Sequence, residues 1–173
     1  MKVLIISDIH GGYKDLYRVL KNNTFDKLFI LGDILRGPER DGYDKEKTVE
    51  ILSEYRDKIS AVKGNCDYDK DFEELRLLPN VALIEKVDAL KFLLTHGHIY
   101  NYHNLPDVDY DILLSGHTHV PVLTQIDHEI YVNPGSISLP KGDFDKSYAI
   151  YEKNKITIHE IDGKVIMELM IDK

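Results

Sequence analysis

The chain has 173 residues, with 22 Lys and Arg against 30 Asp and Glu, and so a formal charge of −8. Hydrophobic residues make up 43% of the chain and charged residues 30%. This balance predicts a globular core and excludes a disordered, collagen-like or coiled-coil chain. The acidic excess argues against capture of DNA or of an anionic membrane by bulk charge. We therefore expect no stable nucleic-acid partner and no membrane partner, and a phosphate ligand would have to be held locally.

Two further features concern the compartment and the domain count. The longest apolar run near the start, residues 3–6, is too short for the core of a signal peptide or for a membrane span. The lone cysteine, Cys66, cannot form an internal disulfide, which agrees with a reducing compartment. We expect a cytoplasmic protein with a single domain over residues 1–173.

The first half of the chain alternates apolar runs with helical patterns. Residues 2–6, 28–31 and 59–62 are predicted strands, and a long loop at residues 34–43 precedes the second helix. A repeated order of strand, polar loop and helix implies parallel strands joined by crossovers. The first helix should bury Tyr13, Leu16, Tyr17 and Leu20, and the second Thr48, Ile51, Leu52 and Tyr55.

The second half is richer in strands. Beyond Tyr148 the chain is predicted to meander, with Ile156 and Ile158 alternating with polar neighbours and a hairpin turn at Asp162-Gly163. Together these patterns predict an α/β domain with two sheets whose later strands are more antiparallel. The remaining predicted strands of this half are residues 81–84, 90–94, 112–114, 120–126 and 129–132, and a last strand with Val165, Met167 and Leu169 on one face.

Residues able to bind metal follow five of these apolar runs. In open α/β sheets the carboxyl ends of the strands form the crevice where ligands bind, so side chains far apart in sequence should meet there. Each group alone is ordinary turn chemistry, and only their joint occurrence at strand ends indicates a metal site. The groups are Asp8-Ile9-His10, Gly32-Asp33, Gly64-Asn65, His96-Gly97-His98 and Gly116-His117-Thr118-His119.

The histidines are concentrated in these groups. Five of the eight lie in them, and the other three, His103, His128 and His159, are expected to be solvated or structural. Two histidines in a His-x-His pair would face opposite sides of a regular strand. Both reach one site only if the backbone turns, which Gly116 would permit.

As a set, these motifs resemble those of the calcineurin-like metallophosphoesterases, in particular the YfcE-type subgroup of small bacterial and archaeal phosphodiesterases. The resemblance spans nearly the whole chain and includes Gly37-Pro38 and Asn133-Pro134-Gly135-Ser136. It implies a two-sheet sandwich flanked by helices, an α-β-β-α fold with mixed parallel and antiparallel strands, and a site for two metal ions.

The resemblance also implies a ligand set. A carboxylate has two oxygens and can span two cations, which independently favours an aspartate as the bridging ligand. Four imidazoles, two carboxylates and an amide favour manganese, iron, nickel or zinc over calcium or magnesium, and manganese is our first choice. One metal would be held by Asp8, His10, Asp33 and His119, and the other by Asp33, Asn65, His96 and His117.

The implied activity is hydrolysis of a small-molecule phosphodiester by a hydroxide bound to the two-metal centre. Two divalent ions with two carboxylates and one hydroxide carry a net charge of about +1, which matches the single negative charge of a diester. A phosphomonoesterase or nucleotidase using the same site remains an alternative, and so does a non-catalytic docking scaffold. The oligomeric state stays open.

Candidates for direct catalytic roles are fewer. Many relatives have histidine where this chain has Cys66, and a neutral thiol is a poor general acid. His98 is the alternative proton donor, or else a residue that orients a ligand. Arg36 is a candidate for holding a phosphate oxygen, whereas Arg40 either shares that role or pairs with a neighbouring acidic residue.

Other residues near the motifs have weaker interpretations. Asp67 either orients a ligand or is a plain turn residue. Three tyrosines are candidates for lining a mouth in which a ring stacks, or are simply half-buried: Tyr43, Tyr100 and Tyr102.

Overall fold

The computed structural model describes residues 1–171, so the last two residues of the expected domain, 172 and 173, lie outside the described part of the chain. A 3-10 turn, Arg56–Lys58, precedes the third strand. The α-helices are α1 (Tyr13–Asn22), α2 (Lys45–Ser53) and α3 (Asp69–Leu75). The strands are β1 (Lys2–Ile6), β2 (Lys27–Ile30), β3 (Ile59–Ala61), β4 (Ala82–Val87), β5 (Leu90–Thr95), β6 (Ile112–Leu114), β7 (Pro121–Ile126), β8 (Glu129–Pro134), β9 (Ser147–Glu152), β10 (Lys155–Glu160) and β11 (Val165–Met170).

These strands form two mixed sheets. The six-stranded sheet has the order β11-β10-β9-β1-β2-β3, in which β1, β2 and β3 are parallel and the later strands antiparallel. The five-stranded sheet has the order β4-β5-β6-β8-β7, with a parallel centre of β5, β6 and β8. Antiparallel strands β4 and β7 flank that centre. The expected class, an α/β two-sheet fold with mixed strands flanked by helices, is confirmed.

Strand β1 shows why its sequence is apolar at every position. Val3 and Ile5 belong to the layer between the sheets, together with Phe92 of β5. Leu4 and Ile6 point the other way, into a second layer that contains Leu16 and other residues of all three helices. Because successive side chains of a strand alternate between faces, a strand covered on both faces must be apolar throughout.

The helices differ from expectation in two respects. In α1 the buried face consists of Leu16, Val19 and Leu20, whereas Tyr17 is exposed. Tyr17 lies at the border of the apolar stripe, where its ring stays in contact with solvent. Helix α3 was not expected from the sequence, because it is short and acidic and has only Phe72 and Leu75 to mark a buried face.

The parallel strands set the position of the functional loops. The chain leaves the carboxyl ends of β1, β2, β3, β5 and β6 into the five predicted polar groups. Backbone hydrogen bonds then join these loops, such as Asp8 N to Gly32 O at 3.1 Å and Gly116 N to His96 O at 2.8 Å. Among the described residues, no helix has the length and apolar character needed to cross a membrane.

Candidate metal centre

The two carboxylates of the cluster contact imidazoles from distant parts of the chain. His119 Nε2 lies 3.2 Å from Asp8 Oδ1. Asp33 Oδ2 lies between two rings, 3.6 Å from His10 Nε2 and 3.5 Å from His96 Nε2. Asp33 therefore occupies the central position between two groups of nitrogen donors.

The remaining predicted ligands lie at the same centre. Asn65 Oδ1 is 3.1 Å from His96 Nε2, and the ring of His117 is 5.2 Å from that of His96 between centroids. The backbone N–H of His117 donates to Asp8 Oδ2 at 3.0 Å. The fold thus brings all seven residues predicted as ligands into one cluster.

Three of the histidines are fixed in one tautomer by backbone carbonyls. The Nδ1 atoms of His10, His96 and His119 lie 2.7, 2.6 and 2.5 Å from the carbonyl oxygens of Arg36, Leu31 and Leu139. A carbonyl only accepts, so each Nδ1 must carry the proton and donate it. When such a ring is neutral, its Nε2 lone pair faces the carboxylates, which is the form a metal requires.

The chemistry of these atoms fits a cation. Asp8 Oδ1 and His10 Nε2 are buried and have no hydrogen-bond partner, although they lie 3.9 Å apart. A carboxylate oxygen and an unprotonated nitrogen are both acceptors, and buried polar groups are normally satisfied. Divalent cations bound among Asp8, His10, Asp33 and His96 would satisfy these acceptors.

The backbone adopts an unusual conformation at the same residues. Asp8, His10, Asp33, His117 and His119 all have positive φ, between 48° and 69°. Non-glycine residues rarely adopt this left-handed conformation, and such outliers cluster at functional sites. At His117 and His119 this turn of the backbone brings both members of the His-x-His pair to one site. Regular strand geometry would separate them.

The electrostatics of the centre favour positive charge. Burial opposes ionisation of Asp33, but His96 and the N–H of Cys66 outweigh it and hold the pKa of Asp33 below its ordinary value. Burial likewise lowers the pKa of His96, but contact with Asp33 and the field of Asp8 raise it overall. The field that draws a proton to His96 would also draw a metal cation.

Cys66, next to the predicted ligand Asn65, faces the same field. Burial and the nearby Asp33 carboxylate raise the pKa of the Cys66 thiol to about 11. The thiol is therefore neutral near pH 7, and a neutral thiol is a poor nucleophile and a weak donor.

Asp67 is buried beneath Asp33 and holds its loop. Its carboxylate accepts hydrogen bonds from the backbone N–H groups of Asp33, Ile34 and Gly64, at 2.7, 2.8 and 2.9 Å. Gly64 approaches so closely that a Cβ there would lie 2.1 Å from Asp33 Oδ1. Of the two interpretations of Asp67, the structure favours the orienting one.

Two serines that sequence reasoning missed support the Asp8 loop. Ser136 Oγ donates to the carbonyl of Asp8 at 2.7 Å, and Ser138 Oγ donates to that of Ile9 at 2.7 Å. The segment Asn133-Pro134-Gly135-Ser136 was visible as a motif, but its role depends on contacts across more than 120 residues.

The two candidate catalytic residues lie in different surroundings. The Arg36 guanidinium forms a two-point ion pair with Asp71, at 2.7 and 3.1 Å, and lies 3.9 Å from the Tyr68 ring centre. Arg36 could hold a phosphate oxygen only if this ion pair broke. Its backbone carbonyl, by contrast, contacts His10 Nδ1 at the candidate metal centre. His98 is half-buried beside the cluster, with its ring 5.3 Å from that of His96.

A cleft of about 680 Å³ opens over the cluster and has a basic wall. Arg40, Lys141 and Lys146 line it together with His10 and Asp33. Lys146 pairs with Asp15, whereas neither Arg40 nor Lys141 forms an ion pair within the described chain. Two acidic neighbours, Glu39 and Asp41, were the expected alternative partners of Arg40; Asp41 pairs with Lys14 instead, and Arg40 forms no ion pair with Glu39 in the described chain.

A two-sheet α/β sandwich with such a centre at its strand ends is the architecture of a metallophosphoesterase. Comparison with known proteins agrees: the model of the calcineurin-like phosphoesterase superfamily domain matches residues 1–155. The phosphodiesterase YfcE of Escherichia coli is 36% identical over 183 aligned positions, which cover 99% of both chains. The YsnB protein of Bacillus subtilis is 31% identical, over 87% of this chain and 83% of its own.

Solved structures give the same result. That of E. coli YfcE, described as a phosphoesterase, superposes with a TM-score of 0.92 and 34% identity, over 99% of this chain and 100% of that one. Vps29 of Entamoeba histolytica shares the fold alone, with a TM-score of 0.71 at 23% identity over 99% of this chain and 100% of that one. The chain belongs to the calcineurin-like phosphoesterase superfamily, and it is a hydrolytic phosphoesterase whose family implies divalent metal ions.

Proposed function

We propose that this protein is a phosphodiesterase that works with two divalent metal ions, manganese being the best match. Asp33 would help to hold both ions. Asp8, His10 and His119 complete one site, and the other site is completed by Asn65, His96 and His117.

One observation carries this proposal: hydrogen-bond acceptor atoms of several histidines and aspartates lie close together in a buried site. The Nε2 atoms of His10, His96 and His119 lie 3.2–3.9 Å from carboxylate oxygens of Asp8 and Asp33, while their Nδ1 protons are held by carbonyls. Buried acceptors at such distances fit cations bound between them. The abundance of nitrogen donors supports a transition metal over calcium or magnesium.

When bound, a pair of divalent ions would lower the pKa of water and stabilise negative charge on a phosphoryl group. The chain supplies the setting for that chemistry. Burial and the carbonyl contacts fix the rings, and Asp33 stays ionised. Arg40 and Lys141 would attract an anionic substrate to the cleft. No protein nucleophile is invoked, since the thiol of Cys66 is neutral and Ser7 Oγ donates to Asp8 at 2.7 Å.

The similarity to E. coli YfcE, a phosphodiesterase, supports a diester over a monoester. The proposal also takes the whole chain as one domain that acts on a small molecule. A cytoplasmic location stays a prediction.

The test begins with protein purified without chelator. We expect metal analysis to find up to two transition-metal ions per chain, and manganese to increase hydrolysis of bis(p-nitrophenyl) phosphate. His119→Ala should reduce kcat by at least about 100-fold, because removal of a ligand disturbs the charge that stabilises the transition state. His128→Ala, in the distant turn after β7, is the matched control and should behave as wild type.

Three outcomes would contradict the proposal. Faster hydrolysis of p-nitrophenyl phosphate than of the diester would favour a phosphomonoesterase. Absence of both metal binding and turnover would favour a docking scaffold. Equal activity of the two histidine variants would place the chemistry elsewhere.

A further inference from the structure

A second pocket lies beside the metal cluster. It has a volume of about 550 Å³, within the range of small-molecule sites. His117 lines both this pocket and the basic cleft, so the two spaces meet at the candidate metal centre. Gly97 and Gly116, next to the predicted ligands His96 and His117, line the second pocket.

The far wall of this pocket is aromatic and apolar. The Tyr102 ring contacts the ring of Tyr131 on β8, with centres 5.9 Å apart, and the ring of His103, with centres 5.5 Å apart. Ile126, at the end of β7, adds an aliphatic side chain that is 46% exposed. Large apolar side chains left open beside a catalytic centre suit the binding of a ligand.

The charge of this wall differs from that of the basic cleft. Among the described residues that line the pocket there is no Asp, Glu, Lys or Arg. The basic cleft, by contrast, has Arg40, Lys141 and Lys146. A second anionic group of a substrate would therefore lie toward the basic cleft, and a neutral group toward the aromatic wall.

The loop that presents Tyr102 is held in place by its own asparagines. Asn101 Nδ2 donates to Gly97 O at 3.1 Å, and Asn104 Nδ2 donates to Ile99 O at 2.8 Å. The backbones of Asn101 and Asn104 also exchange two hydrogen bonds, at 3.0 and 2.9 Å. A wall that is already ordered loses little conformational entropy when a ligand binds.

We infer that this aromatic pocket binds a planar ring carried by one ester arm of the substrate, and that Tyr102 is its main specificity-determining residue. The inference rests on the proposed function, because the phosphate must lie at the metal centre for an ester arm to reach the pocket. Of the three tyrosines considered for lining a mouth, Tyr102 lines this pocket and Tyr100 is half-buried. Tyr43 lines a different pocket together with His10, and its hydroxyl donates to Ser138 O at 2.9 Å.

The experiment compares phenyl phosphate with methyl phosphate, which share the phosphate group and differ in the ring. Their Kd values for the manganese-bound protein are measured by calorimetry, which needs no turnover. We expect the wild type to bind phenyl phosphate roughly five- to 150-fold more tightly, the range of one aromatic stacking contact. Tyr102→Ala should reduce that preference to about threefold or less, and Tyr102→Phe should keep it.

Tyr17→Ala on α1 is the matched control, because Tyr17 is 51% exposed and lies on a helix outside the pocket. A wild-type preference near one, or a preference that survives Tyr102→Ala, would overturn the inference. Failure of the proposed function gives a different result, namely no hydrolysis of bis(p-nitrophenyl) phosphate. If the protein hydrolyses this diester but binds phenyl phosphate and methyl phosphate equally well, the proposed function holds and the inference is wrong.

Discussion

At the scale of single residues, the predicted ligands are held in a conformation that their backbone disfavours. Within residues 1–171, five of the ten non-glycine residues with positive φ are predicted ligands. Each such conformation costs on the order of 1–3 kcal/mol and persists only where the surroundings enforce it. Asp67, Ser136 and Ser138 provide that support through hydrogen bonds to the backbone of the ligand loops. The precision of the centre therefore depends on residues that would never touch a metal.

Asp67→Ala tests this dependence. The change leaves the buried N–H groups of Asp33, Ile34 and Gly64 without their acceptor, which should lower the free energy of unfolding by at least about 2 kcal/mol. Loss of such supporting contacts should also weaken manganese binding about 10- to 100-fold. Chelator competition and urea unfolding measure the two effects. Asp67→Asn keeps one acceptor oxygen and should lie between the wild type and Asp67→Ala. Unchanged metal affinity in Asp67→Ala would show that the Asp33 loop keeps its conformation without the hydrogen bonds to Asp67.

At the scale of elements, α3 is held by a buried charge as well as by the apolar side chains of Phe72 and Leu75. Asp71 is fully buried and accepts from Arg36, in the loop after β2, and from Lys45 of α2 at 2.9 Å. It also accepts from the N–H of Tyr68 at 2.8 Å, at the start of α3. Burial opposes ionisation, but these partners lower the pKa of Asp71 from 3.8 to about 2. One carboxylate thus joins α3, α2 and the loop after β2, whose Arg36 carbonyl contacts His10.

Asp71→Asn should therefore have a pH-dependent effect. A carboxyl whose pKa is lower in the folded state stabilises that state fully above pH 4, and the effect is lost as the pH falls toward 2. With allowance for solvent screening of the exposed Arg36, the contribution at pH 7 is about 1–2 kcal/mol. Urea unfolding of wild type and variant at pH 7 and pH 3 measures it. The difference between the two proteins should shrink at pH 3, and a constant difference would exclude the ion pairs as its source.

Some helices and strands could be predicted from the sequence and others could not, and the difference has physical reasons. Strand β1 was found at its observed bounds, because burial on both faces leaves a continuous apolar run. The acidic helix α3 was missed, since it is only seven residues long and two apolar side chains, Phe72 and Leu75, are too few to form a periodic pattern. The candidate site shows the same contrast. Its candidate ligands could be predicted because they follow the ends of strands, whereas the contacts of Asp67 and Lys141 could not, because they depend on the packing of loops that are far apart in the sequence.

At the scale of the whole molecule, charge is distributed unevenly. The net charge is −8, yet Arg40 and Lys141 face the cleft without ion-pair partners in the described chain. An acidic protein as a whole repels an anionic substrate, and salt would then relieve the repulsion and raise kcat/KM. A local basic wall beside metal cations has the opposite effect, because salt screens an attraction. The sign of the salt dependence shows which field the substrate meets.

We expect kcat/KM for bis(p-nitrophenyl) phosphate to fall as salt is added to the wild type. Lys141→Gln should lower kcat/KM at low salt by about three- to tenfold and make the salt dependence shallower, because one cation of the wall is gone. Lys86→Gln, on the exposed edge strand β4, removes the same charge away from the cleft and controls for net charge. The measurement is a series of kcat/KM values from low to high ionic strength for all three proteins. Equal losses in the two variants would assign the effect to net charge, and a wild-type rate that rises with salt would show that the acidic surface dominates the cleft.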